Sequence, residues 1–467
     1  MANESKTACI NPSLLKHPKG CGEPKCQDNQ VSAGNPVNAE SGYKVQAEVD
    51  YQSPTGLSFV RVYSSTVAYD TIPQSTPSPL LGVQTQVDAS GQTSTVRVGI
   101  YDRPSPKPLL GRSVWQLNWD RSIQGVVAPP PSTPAPATGN LGISSTAGSV
   151  VYRLGMGGTA IMNNTITAAY VSRGGGKTYI FSRNGAGWVP DGDIKDRLVS
   201  SFDGAGNVTG WTYTTTAQEV EQYSATGKLS SVTDRNGNTL TLTYSDGTPN
   251  SPNGGYMIDA TGVQASLHDI RGNPFPAILP AGLLIRITDA FGHSINLSYD
   301  VSARIAQMTD PAGGVYRYAY NDNIYDYSQI DNLVSVTYPD GKTKQYIYGE
   351  QYAGTPAPPQ ALTGILDENG DHYATWTYDA AGRATSSEHG ATGSGIDRVT
   401  LTFNPDNTII TDALGAVRIQ NFQTVQGIAR NAGSSQPGGS GCGASSSALT
   451  YDINANIASR TDFNGNK

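Results

Sequence analysis

A four-residue pattern, Asp-x-x-Gly, recurs along this chain and constrains its fold more than any other feature. It occurs 11 times among 467 residues with 29 Asp and 53 Gly, whereas composition alone predicts roughly three copies, so the excess indicates a repeat. An aspartate at the first turn position can bond the backbone two residues on. A glycine three residues later can adopt positive φ, as a type I turn closed by a G1 bulge requires. Each copy therefore predicts a β-hairpin turn.

The clearest copy precedes a segment with the alternation of a β-strand. In Thr239-Leu-Thr-Leu-Thr-Tyr244, apolar residues occupy one face and threonines the other, which is typical of a half-buried strand. We therefore predict repeated hairpins. The first and last residues of the predicted turns are Asp203 and Gly206, Asp234 and Gly237, Asp289 and Gly292, Asp310 and Gly313, Asp367 and Gly370, Asp379 and Gly382, Asp412 and Gly415, and Asp462 and Gly465.

The spacing of aromatic residues before the turns supports a repeat of one hairpin. Phe202, Tyr223 and Tyr244 lie 21 residues apart, and so do Tyr299 and Tyr320. Two strands of about 6–8 residues with their turns need about 20 residues. The spacing is interrupted between 245 and 285 and again after 320. The chain is thus predicted to be all-β, with repeated hairpins and insertions between some of them.

The repeat resembles a known family. Tyr378-Asp-Ala-Ala-Gly-Arg383 is the most complete copy, and Tyr299-Asp300 and Tyr451-Asp452 open similar ones. Tyr-Asp-x-x-Gly-Arg alternating with Thr-Asp-x-x-Gly resembles the YD repeat of bacterial RHS proteins and of the related teneurins, over roughly residues 200–467. Alanine stands where glycine is expected at positions 303 and 455. The resemblance implies part of a curved, spiralling antiparallel sheet.

The N-terminal region resembles the module of unknown function that precedes YD repeats in RHS proteins. The resemblance rests on Gly34-Asn-Pro-Val37, Gly42-Tyr-Lys44, Asp50-Tyr51 and Arg61-Val-Tyr63. We divide the chain into five parts: a polar, cysteine-bearing segment (1–33), the RHS-type N-terminal module (34–125), a proline-rich linker or loop (126–140), a β lead-in (141–200) and YD repeats, expected to be an incomplete set (201–467).

Composition excludes several classes of function. The net charge is −7 and no basic block occurs, which argues against nucleic acid because phosphate contacts need clustered Lys and Arg. No apolar run reaches 18 residues, so no transmembrane helix is predicted. Residues 1–10 lack the apolar centre of a secretory signal. The resemblance nevertheless implies a secreted or cell-surface protein.

Three segments give only a weak sequence signal for a ligand site. Gly174-Gly-Gly-Lys177 lacks the earlier glycine of a phosphate-binding loop, and Asp191-Gly-Asp-Ile-Lys-Asp196 lacks the closing glutamate of a calcium loop. The sequence leaves open whether Cys21 and Cys26 form a local disulfide, stay as thiols or bind a metal, but a single Cys-x4-Cys is a poor zinc signature. We therefore expect no cofactor and no metal site.

No catalytic motif is visible either. The five histidines show no metalloprotease spacing, and no Gly-x-Ser-x-Gly elbow occurs. The repeated aspartates fit turn capping better than paired catalytic carboxylates because each precedes x-x-Gly. Asp310-Pro-Ala-Gly-Gly314 has glycine where the RHS self-cleavage signature has leucine. We expect no enzyme activity.

RHS proteins are hollow shells that enclose a C-terminal toxin. The resemblance implies an encapsulating role in bacterial competition, with a downstream toxin domain and a secretion-system component as partners. A secreted adhesin or glycan-binding β-repeat protein is the main alternative, and a carbohydrate-active enzyme is a weaker one. Because the chain ends just after the Asp462 turn, we also expect an open, partial shell whose strand near Thr450 exposes an edge that can self-associate.

Overall fold

The structure is a computed structural model. It describes residues 32–65, 81–87, 93–99, 110, 115–127, 142–146, 149–154, 158–161, 166–174, 177–191, 194–269, 271–322, 331–350, 357–425, 428–438, 443–453 and 455–467. The cysteines and most of the proline-rich segment lie outside these ranges, as do Gly175, Gly176, Gly192 and Asp193 of the two candidate loops.

The N-terminal part contains short antiparallel sheets. Its strands are β1 (Ser32–Ala33), β2 (Val37–Asn38), β3 (Val45–Gln52), β4 (Ser58–Ser64), β5 (Leu81–Val87), β6 (Thr93–Gly99), β7 (Trp115–Leu117), β8 (Ser122–Val127), β9 (Gly142–Thr146), β10 (Ser149–Leu154), β11 (Gly158–Ile161), β12 (Ile166–Arg173), β13 (Lys177–Asn184) and β14 (Gly187–Pro190). Strands β3, β4 and β7 form the N-terminal sheet, with β4 in the centre. Strands β8, β12, β13 and β14 form the lead-in sheet.

The rest of the chain is dominated by one 19-stranded antiparallel sheet, here called the long sheet. Its strands are β15 (Arg197–Phe202), β16 (Val208–Thr214), β17 (Val220–Ser224), β18 (Leu229–Thr233), β19 (Thr239–Tyr244), β22 (Leu284–Thr288), β23 (Ser294–Tyr299), β24 (Ile305–Thr309), β25 (Val315–Tyr320), β26 (Leu333–Thr337), β27 (Thr343–Tyr348), β28 (Leu362–Leu366), β29 (His372–Tyr378), β30 (Ala384–His389), β31 (Ile396–Phe403), β32 (Asn407–Thr411), β33 (Val417–Val425), β34 (Ile428–Gln436) and β35 (Ser445–Ser446). The strands pair in sequence order.

Two hairpins lie outside the long sheet. Strands β20 (Ser266–His268) and β21 (Pro274–Pro276) belong to the insertion between β19 and β22, and β36 (Ala448–Tyr451) pairs with β37 (Ile457–Thr461). All of the elements named above are strands, which confirms the prediction of an all-β protein built from antiparallel hairpins. No helix in the described part of the chain is long and apolar enough to cross a membrane.

The long sheet buries one face. In β23, Ile295, Leu297 and Tyr299 are buried and Asn296 is exposed, because successive side chains point to opposite faces of a strand. Directly paired positions continue the buried face across neighbouring strands, as Leu297 opposite Met308 shows. The other face carries mainly Thr, Ser, Asn and Gln. The hydrophobic core therefore lies along one side of the long sheet.

The connections differ between the two sides of the long sheet at which its strands begin and end. Turns opened by Asp234, Asp289, Asp310, Asp367 and Asp412 join strand ends on one side, here called the Thr-Asp side, and this side has tight turns. Turns opened by Asp203, Asp300 and Asp379 lie on the opposite side, here called the Tyr-Asp side, because successive antiparallel strands reverse direction. Connections 245–283, 321–332 and 349–361 also lie on the Tyr-Asp side. The interruptions of the 21-residue spacing are therefore insertions on one side of the long sheet.

Candidate functional site

The repeat turns share one hydrogen-bond pattern. At Asp234, one carboxylate oxygen accepts the backbone N–H groups of Asn236 (2.8 Å) and Asn238 (2.9 Å). The N–H of Gly237 donates to the carbonyl of Asp234 (3.0 Å), and Gly237 has a φ of 86°. The side chain thus replaces a second backbone acceptor and closes the turn locally.

The structure places all eight turns predicted from the sequence in this arrangement, and their glycines have φ between 73° and 88°. Their aspartates are Asp203, Asp234, Asp289, Asp310, Asp367, Asp379, Asp412 and Asp462. Asp259 and Asp269 make the same turn inside the insertion. Ala303 (φ 61°) and Ala455 (φ 64°) adopt the left-handed conformation where glycine is absent, so these two copies keep the turn despite the strain that a Cβ adds.

The turn hydrogen bonds also favour ionised carboxylates. The side-chain amide of Asn238 is the main cause that lowers the pKa of Asp234. Burial by itself raises the pKa of Asp289, but hydrogen bonds from Thr55 and His293 outweigh it and lower this pKa to about 2. Carboxylates held as hydrogen-bond acceptors for nearby amides are suited to turn closure and poorly suited to accept a substrate proton.

Tyrosines at the ends of alternate strands of the long sheet form a column through the repeats, in which Tyr244 is half-buried and the others are buried. Each hydroxyl donates to a backbone carbonyl at the start of the preceding strand, 15 or 16 residues earlier in the chain. The pairs are Tyr244 with Leu229 (2.8 Å), Tyr299 with Leu284 (2.6 Å), Tyr320 with Ile305 (2.7 Å), Tyr348 with Leu333 (2.6 Å) and Tyr378 with Leu362 (2.7 Å). We call this set the tyrosine column. It gives each buried hydroxyl the partner that its burial requires.

A second group of polar residues lies between the N-terminal sheet and the long sheet. Lys44 and the β3 residues Gln46, Glu48 and Asp50 occupy one face of the strand, and this face is turned toward the long sheet. Val49 on the opposite face is 49% exposed. The face of β3 that is buried here is therefore its polar face. We call these four residues and Arg61 the polar interface.

Asp50 and Arg61 form the centre of the polar interface. Arg61 Nε lies 2.6 Å from Asp50 Oδ2, Nη2 lies 2.9 Å from Oδ1, and neither side chain has solvent exposure. Two hydroxyls from the long sheet complete the cluster, since Tyr318 donates to Asp50 (2.8 Å) and Tyr346 accepts from Arg61 Nη1 (2.9 Å). Burial by itself lowers the pKa of Arg61, but Asp50 outweighs burial and raises it.

Glu221 of the long sheet is a similar buried carboxylate. Arg121 donates to Glu221 Oε1 (2.6 Å), while Arg173 and Tyr223 donate to Oε2. Burial by itself raises the pKa of Glu221, but Arg173 and Arg121 outweigh it and lower the pKa to about 2. Because Arg173 belongs to β12, this cluster joins the lead-in sheet to the long sheet.

Contacts of the N-terminal part extend from the Thr-Asp side of the long sheet to the Tyr-Asp side. Thr55 donates to Asp289 Oδ2 on the Thr-Asp side (2.7 Å), and the carbonyl of Gly42 accepts from the N–H of Ala384 on the Tyr-Asp side (2.7 Å). Farther along, Thr408 of β32 donates to the carbonyl of Ala39 (2.5 Å). The N-terminal part therefore covers the buried face between β22 and β32.

The sequence did not point to the polar interface. In the sequence, Lys44, Asp50 and Arg61 stand out only as parts of the motifs that resemble the RHS N-terminal module, and Glu221 belongs to none of the motifs described above. A charge on alternate positions of β3 was the available signal, but a period-two pattern assigns polar residues to solvent. Only the partners, which lie far along the chain, reverse that assignment.

The described residues contain no group of three or more His, Cys, Asp or Glu side chains that could hold a metal ion. Asp310-Pro-Ala-Gly-Gly314 lies in a tight turn closed by hydrogen bonds to the Asp310 carboxylate. The arrangement therefore holds the fold together. The aspartates close the turns, the tyrosine hydroxyls bond to backbone carbonyls, and the ion pairs join one sheet to another.

Comparisons with known proteins give likeness at the level of structure alone. No protein-family profile matches the sequence, and no curated protein matches it. The Photorhabdus luminescens Tc holotoxin pore with a mutated TccC3 is similar with a TM-score of 0.28 and 10% identity, over 92% of this chain and 26% of that one. TcdB2-TccC3 gives a TM-score of 0.29 and 9% identity, over 88% and 24% of the two chains.

A complex of TcdB2-TccC3 with Cdc42 gives a TM-score of 0.27 and 12% identity, over 89% of this chain and 22% of that one. This chain therefore spans about a quarter of the length of the structures it resembles. At these scores and identities the likeness does not establish a shared function.

Proposed function

We propose that this chain is a wall segment of an RHS-type shell that encloses a toxin and serves in competition between bacteria. The observation that carries the proposal is the order of the long sheet, in which 19 strands follow one another along the chain. A hairpin repeat of this kind adds wall area without needing a new core for each unit. The repeat motifs and the N-terminal sequence motifs that resemble those of RHS proteins support the same proposal.

In this proposal the chain acts by structure and carries out no reaction. The repeated aspartates, which would be the first candidates for catalysis, are occupied by backbone N–H groups of their own turns. The partners are a toxin region encoded by the same gene and a component of a secretion system. The place of action is outside the producing cell or at its surface.

Protease protection of the full-length gene product tests the proposal. We expect sequence encoded beyond Lys467 to resist a nonspecific protease at a concentration that digests the same sequence expressed alone. Equal digestion of the two forms, or a gene product that ends at Lys467, would overturn the proposal. Glycan binding by the purified 467-residue chain that is lost on Tyr373→Ala, a half-exposed tyrosine of the long sheet, would instead support the adhesin alternative.

A further inference from the structure

Lys44 presents an amine in an unusual position. Its side chain has no solvent exposure, and its Nζ lies 2.8 Å from the carbonyl oxygen of Val45 and 2.7 Å from Gln46 Oε1. The ring of Trp376 covers it, with the centroid 4.2 Å from Nζ. Within the part of the chain that the structure describes, no carboxylate lies at ion-pair distance from this nitrogen. A buried ammonium without a counter-ion is costly.

The carboxamide next to this amine contacts a carboxylate at its other end. Gln46 Nε2 donates to Glu48 Oε1 at 2.8 Å, and Glu48 is 8% exposed. The assignment of the carboxamide atoms follows from these partners, since only the NH₂ end can donate to Glu48. An amine, a carboxamide and a carboxylate thus lie in sequence along one buried face of β3.

The surroundings favour the neutral, nucleophilic form of the amine. Burial lowers the pKa of Lys44 well below its ordinary value, and the opposite effect of the Glu48 charge does not compensate. A desolvated lysine is an activated nucleophile. Its target is already held at hydrogen-bond distance, so no encounter has to be made and the reaction gains the high effective concentration of an intramolecular step.

We propose that Lys44 and Gln46 become joined by an intramolecular isopeptide bond, with Glu48 as the catalytic residue that moves the proton. The lone pair of Lys44 Nζ attacks Cδ of Gln46 and forms the new C–N bond. In the resulting adduct Nζ and Nε2 are both bonded to Cδ, so Glu48, which contacts Nε2, takes the proton lost by Nζ and passes it to Nε2. The Cδ–Nε2 bond breaks, and ammonia leaves. One amine and one carboxamide become one secondary amide and one ammonia, and Glu48 returns to its carboxylate form.

The attack needs only a small rearrangement. The hydrogen bond places Nζ beside the carboxamide oxygen, whereas bond formation needs Nζ above the plane at Cδ. Rotation of the Gln46 carboxamide about its last side-chain torsion turns the face of the carboxamide toward Nζ, and that torsion has a broad, shallow preference. The reaction is useful to the fold because it replaces a buried amine that can protonate with an amide that cannot.

Intact-mass measurement of the folded 467-residue chain tests the proposal. We expect a mass lower than the sequence mass by one ammonia, and a tryptic peptide in which cleavage after Lys44 is lost and fragmentation places the link between Lys44 and Gln46. Localisation is required because a succinimide at an Asn-Gly step, such as Asn236-Gly237, removes the same mass. A folded wild type with the full sequence mass would overturn the proposal.

Two variants test separately whether Gln46 supplies the carboxamide and whether Glu48 moves the proton. Gln46→Ala is expected to restore the full mass because the electrophile is absent. Glu48→Gln is expected to restore it while circular dichroism shows a folded all-β chain, and a linked Glu48→Gln protein would show that Glu48 does not move the proton. Lys342→Met is the matched control, because Lys342 is an exposed lysine in the turn before β27 and supplies no reacting atom. It should retain the link.

Discussion

The long sheet and the polar interface satisfy the hydrogen bonds of their polar groups in two different ways. In the long sheet, the carboxylate of Asp234 is satisfied by N–H groups within four residues, and the hydroxyl of Tyr299 by a carbonyl 15 residues earlier. In the polar interface, Asp50 accepts a hydrogen bond from the hydroxyl of Tyr318, 268 residues away in the chain. Local partners can repeat with the sequence. Distant partners occur once and depend on the whole fold.

The two arrangements should also differ in what they contribute to stability. A hydrogen bond at an exposed turn or from one tyrosine makes a small net contribution, because folding exchanges it for a bond to water. A buried ion pair is different, since the loss of one partner leaves an uncompensated charge in the interior. We therefore expect single changes at the polar interface to be far more damaging than single changes in one repeat.

Arg61→Met should have the largest effect. The variant leaves Asp50 buried without its cation, and we expect the free energy of unfolding to fall by about 3–5 kcal/mol. Urea unfolding followed by tryptophan fluorescence measures the change, because Trp115 lies against Arg61 (5.1 Å from Cζ to the ring centroid).

The control for this prediction is the double variant Arg61→Met with Asp50→Asn, which removes both charges. It should recover much of the loss, because neither charge remains unpaired. If the single and double variants are equally unstable, packing rather than charge is the source of the effect, and the contrast between the two regions disappears.

Tyr299→Phe should have an intermediate effect. It removes one hydroxyl of the tyrosine column and leaves the carbonyl of Leu284 without that donor, so we expect a loss of about 1–2 kcal/mol in the free energy of unfolding. The same urea titration measures it. Tyr373→Phe is the matched control because Tyr373 is 51% exposed, and it should change little. Equal losses in the two variants would mean that the column adds no more than a surface tyrosine.

Ala303→Gly should have the smallest effect and the opposite sign. Ala303 has a φ of 61°, a conformation that glycine adopts without the clash of a Cβ. After the larger chain entropy of glycine in the unfolded state is allowed for, we expect a gain of about 0.5–1 kcal/mol in the free energy of unfolding. Ala312→Gly is the control, since Ala312 lies in the Asp310 turn without a positive φ, and it should be neutral or destabilising.

The part of the fold that could be predicted from the sequence is the part with local causes. Asp-x-x-Gly marks its own turn, and the alternation in Thr239–Tyr244 marks its own strand. The 21-residue spacing indicates a repeat, but it does not show that the tyrosine hydroxyls reach carbonyls at the start of the preceding strand.

The polar interface could not be predicted for a physical reason. In β3, the apolar positions Val45, Ala47 and Val49 alternate with Gln46 and Glu48, and the pattern alone assigns the polar side to water. The structure buries the polar side because Tyr318 and Lys344 of the long sheet contact Asp50 and Glu48 there. Those partners are not neighbours in sequence, so no window along the chain contains both halves of the signal.

The distance between the two halves of the polar interface has a consequence during synthesis. Arg61 and its hydroxyl partner Tyr346 are separated by 285 residues. A ribosome that adds about 5–20 residues per second therefore completes Arg61 roughly 15–60 s before Tyr346 exists. The repeats can pair with their neighbours as they emerge. The N-terminal sheet, although made first, can reach its final contacts only after most of the long sheet has been translated.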